Sequence, residues 1–146
     1  MKSLGSRFLL AAWWLAVPAA AADLAAALAE PNLEKRSDKA MQNAGRALDA
    51  ARKAYMEGQM EKVLAALQEV SDSVDLCRES LRQTGKSGRR SPKYFKRAEQ
   101  NLRKLLRRLD TFKLEMSVDE RPPVEKVIGR AHAAHEEILQ SIMGKR

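Results

Sequence analysis

Few side chains in this sequence are able to bind a metal or a cofactor. Two histidines, His132 and His135, are three residues apart and precede Glu136 and Glu137, so on a helix the histidines share a face. The H-E-x-x-H motif is absent, and no second histidine–carboxylate motif accompanies the pair. No cofactor is therefore predicted, and a metal- or cofactor-carrying helical bundle that uses His132 and His135 is kept as the alternative hypothesis.

The sequence also lacks the usual motifs for covalent catalysis. Cys77 is the only cysteine, which excludes an intramolecular disulfide. It falls on the apolar seam of a predicted helix, so we expect a buried thiol that packs as a small apolar side chain. A glycine-rich phosphate loop, a nucleophile motif and a haem-attachment motif are all missing. The sequence therefore predicts a protein that is not an enzyme.

Positive charge is concentrated in one part of the chain. The net charge is +8, and residues 85–108 hold ten basic residues and one acidic residue, Glu99. Residues 23–84 and 109–146 each hold more acidic than basic residues. In a helical projection, the cations after residue 92 fall opposite the apolar seam, and two more precede them in a loop. The candidate partner-binding residues are Arg89, Arg90, Lys93, Lys96, Arg97, Arg103, Lys104, Arg107 and Arg108.

This basic face has two interpretations. Like charges four residues apart on a helix cost a few tenths of a kcal/mol per pair, and a merely solvated face usually mixes the two signs. The face is therefore either a solvated surface or a binding surface for an anionic partner, such as an anionic envelope surface or an acidic protein. Nucleic acid is disfavoured because Tyr94 is the only aromatic side chain placed for base stacking. The function predicted is that of a binding or structural module of unknown specific role.

The first 22 residues have the order of a secretory signal peptide. Lys2 and Arg7 are followed by ten apolar residues, 8–17, then by Pro18 and by alanines at 19–22. The apolar run is about half the length needed to span a bilayer. The sequence therefore predicts cleavage near residues 20–22, a periplasmic or secreted location, and no transmembrane segment after the leader is removed.

The rest of the chain predicts one helical domain. An alanine-rich segment, 23–32, is expected to be flexible, and residues 33–143 form the bundle. Apolar residues recur every three or four positions in four segments: 33–57, 59–84, 92–116, and a fourth that follows the break at 117–123 and runs to about residue 143. Gly58 and Gly85 end two of them, and Ser91-Pro92 begins the third, with Ser91 as the expected cap.

Matched helix lengths and short connections favour an all-α, up-down four-helix bundle of long antiparallel helices. The alternative is a three-helix bundle with a loosely attached first helix. In segments 59–84 and 92–116 the apolar spacing alternates strictly between three and four, as in a coiled coil. These two heptad seams also leave open a homo-oligomer that forms through exposed faces.

Overall fold

The computed structural model describes residues 19–144 of the protein. Most of the predicted leader, including its basic and apolar parts, lies outside the described residues. The described helices are α1 Ala19–Leu28, α2 Leu33–Met56, α3 Met60–Gln83, α4 Pro92–Glu115 and α5 Pro122–Met143. A short 3-10 turn, Val118–Glu120, precedes α5. The four long helices therefore agree with the predicted segments to within about two residues.

Local signals in the sequence explain where these helices begin and end. The Asn32 side chain accepts a hydrogen bond from the backbone N–H of Lys35 at 2.9 Å and caps α2. Gly58 and Gly85 follow α2 and α3 with φ of 70° and 66°, a backbone conformation that favours glycine. Helix α4 begins at Pro92 with Ser91 at the N-cap, as expected, although the Ser91 side chain accepts no capping hydrogen bond from the described first turn.

The core is built from the apolar seams that the sequence predicts. The six seam residues of α3 from Val63 to Leu81 are all buried, and Cys77 is one of them. Those of α4, from Phe95 to Leu109 and on to Phe112, are buried as well. Helix α2 contributes mainly alanines, which allow close approach of its neighbours. The burial of Cys77 is therefore confirmed, and the folded protein does not expose its thiol for an intermolecular disulfide.

The four long helices form a bundle made of two antiparallel hairpins. Helix α2 pairs with α3 and α4 with α5, while α2 also lies beside α4 and α3 beside α5. Ion pairs between α2 and α4 join residues near the start of both helices (Asp38–Arg97) and near the end of both (Arg52–Glu115), so these two helices run parallel. The four-helix bundle is therefore confirmed, and antiparallel packing holds within each hairpin. Because α2 packs on two helices, it is not loosely attached.

Helix α1 packs against α2 and α3 at one side of the bundle. Its Ala27 is buried, and the backbone carbonyl of Glu30, just after the helix, accepts a hydrogen bond from Arg36 Nε at 2.8 Å. The helix spans the boundary between the predicted leader and the segment for which the sequence predicts flexibility. Among the helices between residues 19 and 144, none combines the length and the apolar character needed to cross a bilayer.

Candidate binding surface on α2 and α4

The nine predicted binding residues lie on the outer side of α4 and on the loop before it. Eight of them are exposed, and Arg108 is half-buried beside α2. Pro92 fixes the start of α4, and the buried seam from Phe95 to Phe112 turns the opposite face of the helix outward. The fold therefore places these cations on one continuous surface, as the helical projection predicts.

Three of the nine cations are held by acidic side chains. Arg97 pairs with Asp38 of α2 at 2.5 Å. Arg108 pairs with Asp49 of α2 and also lies 3.4 Å from the carbonyl oxygen of Gly45. Both contacts lie in the groove between α2 and α4. They therefore join the two helices and leave less charge available to a partner.

The third paired cation, Arg103, belongs to a polar cluster at the junction of α4 and α5. Its Nη2 donates to Glu99 Oε1 at 2.6 Å and to Oε2 at 2.8 Å. His135 Nε2 lies 2.9 Å from Glu99 Oε1. Burial alone would raise the pKa of Glu99, but the hydrogen bonds from Arg103 and His135 outweigh it and lower the pKa below 4.5. Glu99 is therefore a buried, ionised anchor between two helices.

The other six cations are exposed to solvent. None of them forms an ion pair with another residue in the 19–144 portion of the chain. Lys93 lies 5.3 Å from the ring centre of Tyr94, a cation–π contact that leaves its charge in place. The six are Arg89, Arg90, Lys93, Lys96, Lys104 and Arg107.

Packing adds a second helix to this surface. Helix α2 holds six basic and three acidic residues, and α4 holds eight basic and three acidic residues. Together the two helices carry a net charge of +8. Helices α3 and α5 hold five basic and eight acidic residues between them, a net charge of −3. We call α2 and α4 the basic layer and α3 and α5 the acidic layer. The bundle therefore has two sides of opposite charge.

The contribution of α2 to this surface is hidden in the sequence. Residues 23–84 hold a small excess of acidic residues because the positive charge of α2 is masked by the negative charge of α3 and of the residues before α2 and after it. Charge summed helix by helix would reveal that α2 is basic. The parallel placement of α2 beside α4 is what joins the two into one surface.

Exposed apolar side chains lie at one end of the basic layer. Met56 is 87% exposed at the end of α2, and Leu114 is 71% exposed at the end of α4. Because the helices run parallel, both residues lie at the same end of the bundle. Leu114 follows Lys96 by 18 residues, or five turns, so the two side chains share one face of α4.

The histidines are not arranged to bind a metal ion within the described residues, and the cysteine is not placed to act as a nucleophile. His135 contacts Glu99, and His132 is exposed. Within residues 19–144, no group of three or more His, Cys, Asp or Glu side chains is arranged to hold a metal ion. Burial raises the pKa of the Cys77 thiol to about 12, so a reactive thiolate is not available near neutral pH.

No protein-family model matches this sequence, and no curated protein matches it as a relative. The arrangement offers a broad cationic surface that is crossed by partly exposed ion pairs between α2 and α4. Such a surface attracts anions over a distance of about one Debye length and binds them more weakly as salt is added.

Proposed function

We propose that this protein is an exported, non-catalytic helical module that binds an anionic partner through the basic face of α4 and the loop before it. The observation that supports this most strongly is the set of six exposed cations without an ion pair among the described residues. Unneutralised cations that are clustered on one face raise the local concentration of anions and speed their association. A merely solvated face would gain stability by mixing in acidic side chains.

The state of the reactive side chains supports a non-catalytic role. Cys77 is buried with a raised pKa, and His135 is occupied by Glu99. A general base needs a nucleophile or a substrate within hydrogen-bond reach, and neither of these side chains offers such an arrangement. The alternative of a metal-carrying bundle has no contact in its favour, because His132 and His135 have no third ligand beside them in the described region.

Export is proposed from the leader sequence alone. The charged start, the apolar run at 8–17 and the alanines at 19–22 have the order that signal peptidase substrates share. Mass spectrometry of the protein recovered from the envelope or medium tests this. A mass that begins at residues 21–23 is expected, whereas a chain that keeps residues 1–20 would contradict export by this route.

Binding is tested with a soluble sulfated polysaccharide as a generic polyanion, together with anionic lipid vesicles. The affinity of the native protein for at least one probe is expected to fall steeply as sodium chloride rises from 50 to 300 mM, on the order of a hundredfold. A four-site variant removes four unpaired charges of the basic face of α4: Lys93→Gln, Lys96→Gln, Lys104→Gln and Arg107→Gln. We expect it to lose most of the affinity at low salt, with an unchanged circular dichroism spectrum.

A matched control separates this surface from net charge. The control variant removes four exposed cations of the acidic layer: Lys62→Gln, Arg82→Gln, Lys126→Gln and Arg130→Gln. It has the same net charge as the first variant. A partner that responds only to total charge would therefore bind the two variants with equal affinity. Equal losses of affinity in the two variants, or no salt-sensitive binding to either probe, would refute the proposed function.

A further inference from the structure

The surface that carries the cations is wider than one helix. Helices α2 and α4 each have 24 residues, about 36 Å at 1.5 Å per residue, and adjacent helix axes lie about 8–10 Å apart. Exposed cations lie on both: Lys35 and Lys53 on α2, and Lys93 and Lys104 on α4. The charges therefore cover an area that is two helices wide, whereas a linear polyanion needs only a single row.

Ion pairs bridge the two helices of this area, in addition to the apolar core that they share. Asp38 pairs with Arg97, Asp49 with Arg108, and Arg52 with Glu115 at 2.6 Å. These pairs lie between the helices at both ends and in the middle. The cations on either side of them are consequently carried by a fixed platform, and their long side chains extend outward from it.

The two-sided charge distribution would orient the molecule at an anionic surface. The basic layer carries +8 and the acidic layer −3, so one side is attracted and the other repelled. Arg130 and Arg82, two cations of the acidic layer, are themselves paired with Asp75 and Glu137. A broad anionic plane would therefore meet the basic layer first.

The end of the basic layer has a different chemistry that favours lipid. Met56 and Leu114 are among the most exposed apolar side chains of the described chain, and both lie at the end where α2 and α4 finish. An isolated polyanion or glycan offers nothing apolar to such side chains, whereas the boundary between headgroups and acyl chains does. Insertion of a whole helix is excluded, because the apolar faces of α2 and α4 form the core.

We propose that the basic layer is a membrane-docking face that lies flat on an anionic phospholipid bilayer, with Met56 and Leu114 in contact with the interfacial region. The inference rests on the proposed function and deepens it in two respects: it names a lipid surface as the partner, and it adds α2 to the binding face. An anionic membrane surface attracts each nearby lysine or arginine enough to raise affinity about fivefold.

The test measures co-sedimentation with vesicles of 30% phosphatidylglycerol in phosphatidylcholine, and with vesicles of phosphatidylcholine alone. The double variant Lys35→Gln/Lys53→Gln removes unpaired charges of α2, and Lys62→Gln/Lys126→Gln removes two from the acidic layer as a matched control. We expect the α2 variant to bind anionic vesicles about 25-fold more weakly and the control to change by less than about twofold. Vesicles of phosphatidylcholine alone are expected to bind little of either.

A second variant, Met56→Ser/Leu114→Ser, distinguishes lipid from a soluble polyanion. Both side chains are exposed, so the fold is expected to persist, and binding to vesicles should weaken severalfold while binding to sulfated polysaccharide stays unchanged. Salt-sensitive binding to the polysaccharide without binding to vesicles would overturn the membrane inference and leave the proposed function standing. Equal effects of the α2 variant and its control would also overturn it. Absence of binding to both probes would refute both proposals.

Discussion

Replacing Gly88 with alanine tests whether the loop that carries Arg89 and Arg90 is fixed to the end of α5. Gly88 is buried, and its backbone N–H donates to Ser141 Oγ at 2.9 Å. A Cβ atom added at Gly88 would lie 2.9 Å from Cγ1 of Ile142, 3.0 Å from its backbone nitrogen and 3.1 Å from its Cα. Two of these three atoms belong to the backbone, so rotation of the Ile142 side chain does not relieve the contact.

The size of the effect follows from these distances. Carbon atoms in favourable contact are about 3.5–4.0 Å apart, so the loop and α5 must separate by roughly half an ångström. Overpacking of this kind costs about 1–3 kcal/mol. Gly88 is not among the glycines with positive φ, so the cost comes from the contact and not from the backbone conformation. We expect Gly88→Ala to lower the free energy of unfolding by about 1–3 kcal/mol.

Gly129 provides a control with the same substitution and the opposite sign. It lies within α5, and an added Cβ would meet nothing within 4 Å. Alanine is about 1 kcal/mol more favourable than glycine inside a helix, so Gly129→Ala should stabilise the protein by about that amount. Urea unfolding followed by circular dichroism measures both variants. A Gly88→Ala protein as stable as Gly129→Ala would refute the packing of the loop on α5.

Three further predictions concern the core and the junction of α4 and α5. Cys77 should react with an aromatic disulfide reagent at pH 8 only as fast as the protein opens, and immediate reaction of the native protein would contradict its burial and its pKa of about 12. Phe112 is fully buried and makes an edge-to-face contact with Tyr55, with ring centres 5.8 Å apart, so Phe112→Ala should cost about 3–5 kcal/mol in urea unfolding; a loss below about 1 kcal/mol would contradict this. The folded-state pKa of Glu99 is lowered from its ordinary value of 4.5. The ionised carboxylate therefore contributes fully to folding stability above pH 4.5, and this contribution is lost as the pH falls through the lower, folded-state pKa. The stability advantage of the native protein over Glu99→Gln should therefore shrink below pH 4.5, and an advantage that grows on acidification would show that the assigned hydrogen bonds are absent.

The helices and the core were predictable because their signals are local. Seam residues such as Val70 and Leu102 recur at intervals of three and four, a spacing that places them on one side of a helix. Glycine at 58 and proline at 92 mark helix ends through their own backbone preferences. Helix α1 carries no such signal, because a run of alanines has no apolar face that differs from its other faces. The side of α1 that is buried is set by its contacts with α2 and α3.

The basic layer was only half predictable. The sequence places the cations of α4 on one face, but which helix lies beside α4 depends on the path of the chain after α3. The pairs Asp38–Arg97 and Asp49–Arg108 join residues 59 positions apart, and no pattern within either helix indicates them. Glu99, the one acidic residue among the cations of 85–108, is buried, and no local pattern predicts that Arg103 and His135 together satisfy its carboxylate.

The most direct test of the membrane-facing basic layer is to find which face of the bundle approaches an anionic vesicle. Single cysteines for a fluorescent label are placed at exposed neutral positions: Gln42 and Gln100 on the basic layer, and Ala65 and Ala133 on the acidic layer. The buried Cys77 stays unlabelled in the folded protein. With a quencher attached to the lipid headgroups, we predict strong quenching at Gln42 and Gln100 and little at Ala65 and Ala133. Equal quenching at all four positions, or stronger quenching on the acidic layer, would contradict the account.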